Sequence, residues 1–207
     1  MKINKPKIKI YDNTSFDNCD LNENIANLEI TSNNKEIELS DLTIDSCIIK
    51  NISFNNITLN NVDLLDVSFY NCDLSNVNFD NRFITRVEFI NCKLSGTTFI
   101  NATLKDVLIK DSNFSITNFT KASLYNVIIN DTNLSESFFD ETSIKNMELA
   151  NVKLYRTEFL HTNLSGIDLT SCDISGIRMD AYSMKKIIVN SMQCRDLIGI
   201  LGIEVID

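Results

Sequence analysis

From Leu39 to Val189 every fifth residue is large and apolar, beginning Leu39, Ile44, Ile49, Phe54, Leu59 and ending Ile174, Met179, Met184, Val189. Hydrophobic residues make up 43% of the chain, so an unbroken run of this length would arise by chance about once in 10¹¹ trials, and the repeat has to be read before any single element. A period of five is neither the 3.6 of a helix nor the 2 of a strand. It fits a chain that turns a corner every five residues and sends one large side chain inward per straight segment.

The positions around the large residue support this. Two residues before it stand small or β-branched side chains such as Cys47, Val62, Val67, Cys72, Val87, Ala102, Val107 and Thr117. Their size suits the corner space between large neighbours. Two residues after it stand Asp41, Asn51, Asn61, Asp66, Asn71, Asn76, Gly96, Asn101, Gly166 and Gly176. Asn, Asp and Gly tolerate unusual φ and bond locally to backbone. The two remaining positions are mostly polar and are expected to face water.

The units Cys72-Asp73-Leu74-Ser75-Asn76, Ala102-Thr103-Leu104-Lys105-Asp106 and Thr132-Asn133-Leu134-Ser135-Glu136 resemble the A(D/N)LXX units of pentapeptide repeat proteins. The resemblance implies an all-β solenoid: a right-handed quadrilateral β-helix, four pentapeptides per coil. At about 7.75 coils and a strand spacing of about 4.8 Å the rod would be roughly 37 Å long. Regular coils are expected over 39–189. Residues 1–38 are read as a first coil (about 8–21), a loop or protruding segment (22–36) and a cap. Within that loop the alternation of Ile25, Leu28 and Ile30 does not choose between strand and irregular structure.

Residues 190–207 change character. Asn190 or Ser191 can cap a helix reaching about Leu201, with Met192, Leu197, Ile198 and Leu201 on one face and Gly202 as the stop. Ile203, Val205 and Ile206 read as a short last strand. An open β-helix end exposes unpaired backbone, and a capping helix would cover it. The ending Leu197 to Ile203 is more apolar than a monomer's cap requires. It predicts a homodimer through the C-terminal ends, with Leu197, Ile198, Leu201 and Ile203 as the contact.

A net charge of −9 and a pI near 4.6 argue against direct nucleic-acid binding by a basic patch. No apolar stretch is long enough for a membrane span, and the N-terminus lacks the apolar core of a signal peptide. The expected location is cytoplasmic, with no membrane association. Cys19, Cys47, Cys72, Cys92 and Cys172 fall at the small inward position and read as buried thiols. Cys72 and Cys92 are one coil apart and are the candidates for pairing, against the reducing tendency of that compartment. No catalytic constellation, cofactor motif or metal-ligand spacing is present, and His161 falls at a turn position. The reading is a non-enzyme without cofactor or metal.

Charges counted by face are unequal. The face led by Leu39, Leu59 and Phe79 carries seven acids (Glu38, Asp41, Asp80, Asp140, Glu141, Glu158, Asp180) against Lys121 and Arg178, a balance of −5. The other faces come to −3, +1 and 0. Asp41, Asp80, Asp140, Glu141 and Glu158 are the candidate acidic partner face, over an inward column of Phe79, Phe99, Phe119, Phe139 and Phe159. Ile90, Leu108 and Ile128 break the outward polar rule and form a candidate apolar contact patch; Phe83, Ile116, Phe138 and Leu160 also look outward. The chain is similar to the Qnr-type quinolone-resistance group of pentapeptide repeat proteins in acidity, length and its ending Leu201 to Ile206. That similarity implies a dimeric DNA mimic whose partner is a type II topoisomerase, DNA gyrase or topoisomerase IV. The alternatives are a scaffold for another protein and a purely structural assembly unit.

Overall fold

The computed structural model describes residues 1–203. Its strands are β1 (Asp12–Ser15), β2 (Ile25–Ala26), β3 (Leu28–Ser32), β4 (Ile37–Ser40), β5 (Thr43–Lys50), β6 (Ile57–Asn60), β7 (Asp63–Tyr70), β8 (Phe83–Ile90), β9 (Thr103–Lys110), β10 (Ser123–Asn130), β11 (Ser143–Ala150), β12 (Glu158–Phe159) and β13 (Arg178–Met179), followed by helix α1 (Gln193–Ile200). All pairings are parallel, and from β4 onward each residue pairs with the one twenty positions on: Leu39 with Leu59, Leu64 with Ile84, Ile84 with Leu104, Leu104 with Leu124 and Leu124 with Ile144. Isolated bridges such as Asp73 to Lys93 and Asn118 to Phe138 carry the same spacing round the other two sides. The result is a parallel β-helix with four sides per coil and a single terminal helix.

The five-residue period has a backbone cause. Positive φ recurs every five residues, at Asp41, Ser46, Asn51, Asn61, Asp66, Asn71, Asn76 and onward to Arg156 and His161. These are the positions two after the large side chains, so most corners turn through a left-handed residue; Asn56, which ends a 3₁₀ turn, is an exception. Asn and Asp accept that conformation, and their side chains bond up the rod, as in Asn71 Nδ2 to Asn51 Oδ1 (3.1 Å) and Asn91 Nδ2 to Asn71 Oδ1 (2.7 Å). At Gly96 a Cβ would lie 2.4 Å from Asn76 Oδ1, so a larger residue there would need the Asn76 side chain to turn aside.

Ile116 is the outlier at these corners, a β-branched side chain at φ +59° and more than half exposed. Left-handed φ costs an ordinary residue about 1–2 kcal/mol. Its amide already bonds Ser135 O at 2.9 Å, a bond any residue but proline keeps. Ile116→Asn should therefore raise the unfolding free energy by about 1 kcal/mol, read as a higher urea midpoint at unchanged slope. A lower midpoint would mean that the exposed side chain makes contacts worth more than the strain.

Inside, the large residues from Leu39 to Met179 are buried except for the half-buried Ile144, and Met184 and Val189 pack half-buried against the same core. Phe79, Phe99, Phe119, Phe139 and Phe159 form a stack with centroids 4.7–5.3 Å apart and planes within 17°. The small inward positions include buried hydroxyls, several of which donate to carbonyls of the coil below: Thr97 Oγ1 to Leu74 O (2.8 Å), Thr142 Oγ1 to Phe119 O (2.7 Å) and Thr157 Oγ1 to Leu134 O (2.8 Å). These hydroxyls are thus satisfied within the core.

The N-terminal region departs from expectation. Residues 22–36 do not protrude. Within them β2 and β3 join the main sheet, β3 between β1 and β5. Asp12 pairs with Leu28, sixteen residues on, and Glu29 with Ile48, nineteen on. The first coils are shorter than twenty residues, and that shortening absorbs the register offset between Leu21 and Leu39. Ser15 caps the 3₁₀ turn Phe16–Asn18 that makes one of these tight corners.

Candidate interaction surfaces

The five acids of the candidate partner face occupy one side of the rod in different states. Asp41 is exposed and accepts from Asn61 Nδ2 (2.9 Å). Asp80 and Asp140 are half-buried, and their carboxylates accept the backbone amides of Ile100 (2.8 Å) and Leu160 (3.1 Å) on the next coil. Glu141 lies 3.7 Å from Lys121, and Glu158 is paired with Arg178. Two of the five charges are therefore locally balanced, and two are fixed by backbone rather than free to swing. The exposed His161 meets Asp180 at 3.0 Å at the far end of this side.

The apolar patch lies on an adjoining pair of sides. Leu108 and Ile128 are neighbours in register, within the outward column Ser68, Glu88, Leu108, Ile128, Glu148. Ile90 falls two residues beyond Glu88 and pairs with Lys110, so it borders that column without belonging to it. The patch is not open to water in the way the period of five implies. Ser68 and Glu88 are buried, and Leu108 and Ile128 are half-buried.

The covering element is residues 1–10, which form no coil. They run as an irregular strap along the outside of the rod. Ser46 Oγ donates to Lys7 O (3.4 Å), the Lys7 amide donates to Asp66 Oδ1 (2.8 Å), and Asn4 donates its amide (3.3 Å) and Nδ2 (3.0 Å) to Asp106. At the start of the strap the terminal ammonium meets Glu148. The strap thus crosses from the corner at Ser46 within β5 to β11. Ile3, Pro6, Ile8 and Ile10 are half-buried, while Lys2, Lys5, Lys7 and Lys9 are exposed.

Beneath it Asp66 and Asp106 are buried outward carboxylates. Arg86 grips Asp66 through two bonds of 2.6 and 2.7 Å. Burial works to raise the Asp66 carboxyl, but Arg86 and the Lys7 amide outweigh it and hold it below the ordinary range. At Asp106 burial is likewise overcome by the amides of Asn4 and Asn126. Both groups are therefore anions at neutral pH, and part of what they hold is the strap.

At the C-terminal end Asn190 Oδ1 accepts the amides of Met192 and Gln193 (both 3.0 Å), and Gln193 Oε1 accepts the Asn190 amide (2.9 Å). This reciprocal pair is a capping box. It places Gln193, Leu197 and Ile200 toward the rod, with Leu197 and Ile200 packed on the core. Met192 therefore leaves the expected apolar face and is 82% exposed. Of the four residues proposed as a dimer contact, Leu197 points inward, Ile198 is half-buried, and Leu201 and Ile203 are more than half exposed. The expected strand at Val205 and Ile206 lies outside the described residues.

All six cysteines are free thiols. The Cys72 and Cys92 side chains are adjacent but not joined by a disulfide, and both thiols donate to carbonyls of their own and the preceding coil. The hydrogen bond to Cys72, together with burial, pushes Cys92 far above the ordinary thiol range, and burial pushes Cys47 up to about 11. No helix among the described residues is long and apolar enough to cross a membrane.

A family model described as a pentapeptide repeat region matches residues 62–139. Among solved structures, that of a trypsin-treated variant of QnrB1, a plasmid-mediated fluoroquinolone resistance protein, aligns over 96% of this chain and 97% of its own, with 20% identity and a TM-score of 0.50. The fold is that of the pentapeptide repeat proteins. Full-length QnrB1 covers 84% of this chain and 100% of its own at 16% identity and a TM-score of 0.41. HetL of the cyanobacterium Nostoc, a pentapeptide repeat protein involved in heterocyst differentiation regulation, covers 88% of this chain and 90% of its own at 14% identity and a TM-score of 0.31. No curated protein matches the sequence.

Within this pentapeptide repeat rod the sequence pattern missed two devices. One is the strap, whose signal is a run of four lysines without an acid, spaced by isoleucines, at the head of an acidic chain. The other is charge pairing between coils. Asp66 with Arg86, Asp73 with Lys93, Lys121 with Glu141, and Glu158 with Arg178 are all opposite charges twenty residues apart. In a solenoid of this pitch that spacing plays the part that four residues play on a helix.

Proposed function

We propose that this protein is a non-catalytic acidic rod that binds the DNA-binding surface of a type II topoisomerase, DNA gyrase or topoisomerase IV, as a mimic of DNA, and alters its response to quinolones. The observation that carries the reading is the line of carboxylates held in place along one side. Asp80 and Asp140 are locked by backbone amides of the next coil, as Asp63 is by Phe83 N (2.9 Å) on the neighbouring side. Fixed negative charge on a straight rod suits a groove evolved for phosphates, because phosphate charge dominates DNA affinity. Support comes also from the fold shared with a fluoroquinolone resistance protein. The exposed Met192, Leu201 and Ile203 at the C-terminal end would join two rods into one longer acidic surface.

The test is a gyrase supercoiling assay with and without a fluoroquinolone across a salt series. Inhibition or drug protection is expected at micromolar protein, and it should weaken as salt rises. Reversing Asp140, Glu141 and Glu158 together to lysine should abolish it in a rod that still melts cooperatively. No effect at tens of micromolar, or an effect indifferent to the reversal, would leave the scaffold reading. That second reading is favoured by the strip that already holds a peptide segment.

A further inference from the structure

The strip under residues 1–10 is covered by the chain's own extended N-terminal segment. It offers Glu88, Asp106 and Glu148, beside an Asp66 already paired with Arg86, at intervals of one to two coils, with Leu108 and Ile128 among them. The occupant matches it in both respects. Its half-buried Ile3, Pro6, Ile8 and Ile10 alternate with lysines, and it contains four positive side chains and no acid. Taking those four lysines away leaves 15 bases against the same 28 acids, a change from −9 to −13. The strap therefore screens a substantial part of the rod's charge.

The strap is also held lightly. None of residues 1–10 joins a β-ladder, and the bonds that hold it run to side chains of the rod and one hydroxyl. The coils beneath are bonded residue by residue on both edges. A segment with few backbone bonds to its neighbours opens at a small fraction of the global unfolding cost. It leaves behind a strip that is anionic at neutral pH and apolar at its centre.

We propose that this strip is a docking site for an extended basic segment of a partner protein, in which lysines alternate with aliphatic residues, and that residues 1–10 are a built-in competitor the partner must displace. The proposal stands whichever basic protein the rod meets. A tethered strap acts at an effective concentration in the millimolar range, so a partner segment of equal intrinsic affinity gains little. The device favours partners that add further contacts along the rod, and it keeps stray basic peptides off.

The probe is a labelled peptide with the sequence of residues 1–10, used with the full chain. In one protein the strap is native. In the other, Lys5→Glu, Lys7→Glu and Lys9→Glu repel it from the strip without touching the coils. Hydrogen exchange at the amides of Asn4 and Lys7 reports whether the strap is docked, and fluorescence anisotropy reports peptide binding. The native chain should protect both amides and bind the peptide only near millimolar. The variant should lose the protection, keep its melting transition and bind the peptide at least tenfold more tightly, with affinity falling as salt rises. Protection that survives charge reversal, equal peptide affinity in the two proteins, or a released strap with no binding would each overturn the proposal. So would a concentration-dependent dimer of the native chain that exchanges straps, which would make a second copy the occupant.

Discussion

Phe119→Ala should destabilise the rod by about 3–5 kcal/mol. Phe119 is 1% exposed and stacked on both sides, 5.0 Å from Phe99 and 4.7 Å from Phe139. Removing the ring leaves a void between two rings that are themselves held by coils above and below, so the site collapses poorly. A solenoid adds a second consequence. Each coil touches only its neighbours, so stability is close to a sum of coil and interface terms. A cavity at Phe119 weakens both interfaces of a middle coil. Urea unfolding followed by circular dichroism should show a lower midpoint and a broadened or split transition, as the halves lose their coupling. Phe119→Leu should recover more than half of the loss, because the replacement keeps most of the volume. A cost under about 1 kcal/mol for the alanine variant would mean that the neighbouring coils close over the gap, against the rigidity argued from the stack.

How far the sequence could be read follows from which contacts repeat. One large residue in five fixes the four-sided coil, and the same phase places a left-handed corner even where the residue is Lys121, Glu136, Arg156 or Lys186 rather than Asn or Asp. Once the coil sets the corner, the side chain there has to accept it, so position outranks residue type. The Phe79 to Phe159 column follows from twenty-residue spacing alone. Arg82 shows the limit of the pattern. It sits at a small inward position between Val62 and Ala102, and it remains half-buried with Nε donating to Asp80 O at 3.3 Å, because a guanidinium cannot enter an apolar corner.

What was not legible lacks the period. The strap joins residues 4 and 7 to residues 106 and 66, and no local spacing encodes such pairs. The segment 22–36 was obscured because its pairings run at sixteen and nineteen residues. The acidic face was legible as a sum of charges but not as a field. Arg178 and Lys121 sit one coil from Glu158 and Glu141, and Asp80 and Asp140 serve backbone amides. The exposed remainder, with Asp41 at its head, is a sparser line of charge than the count of −5 suggests.

At the C-terminal end the decisive residue is a polar one that a hydrophobic pattern assigns to water. Gln193 is buried, and its Nε2 donates to both Leu169 O and Cys172 O at 2.8 Å. At Cys172 O the side-chain amide of Gln193 takes the place of the backbone amide that the next coil supplies lower in the rod, as Lys93 N does to Cys72 O. Gln193→Ala leaves Cys172 O without its donor, at about 1–3 kcal/mol, while Leu169 O keeps the Cys172 amide at 2.9 Å. It also breaks the capping box, at about 1 kcal/mol. The expected cost is about 2–4 kcal/mol in all, and it should fall on the helix rather than the rod. Amide exchange over Gln193–Ile200 should accelerate by at least tenfold, while exchange in β8 to β10 stays as it was. Gln193→Glu separates the two roles. A carboxylate still accepts from Asn190 N but cannot donate to the carbonyls, so at neutral pH this variant should be at least as unstable as the alanine one. Burial raises the pKa of such a carboxyl. The folded value would lie above the unfolded one of about 4.3, so stability should return as the pH falls and the protonated acid regains a donor. If both variants keep the helix protected at neutral pH, the docking rests on Leu197 and Ile200 alone, and the end of the rod is closed by apolar contact rather than by a supplied donor.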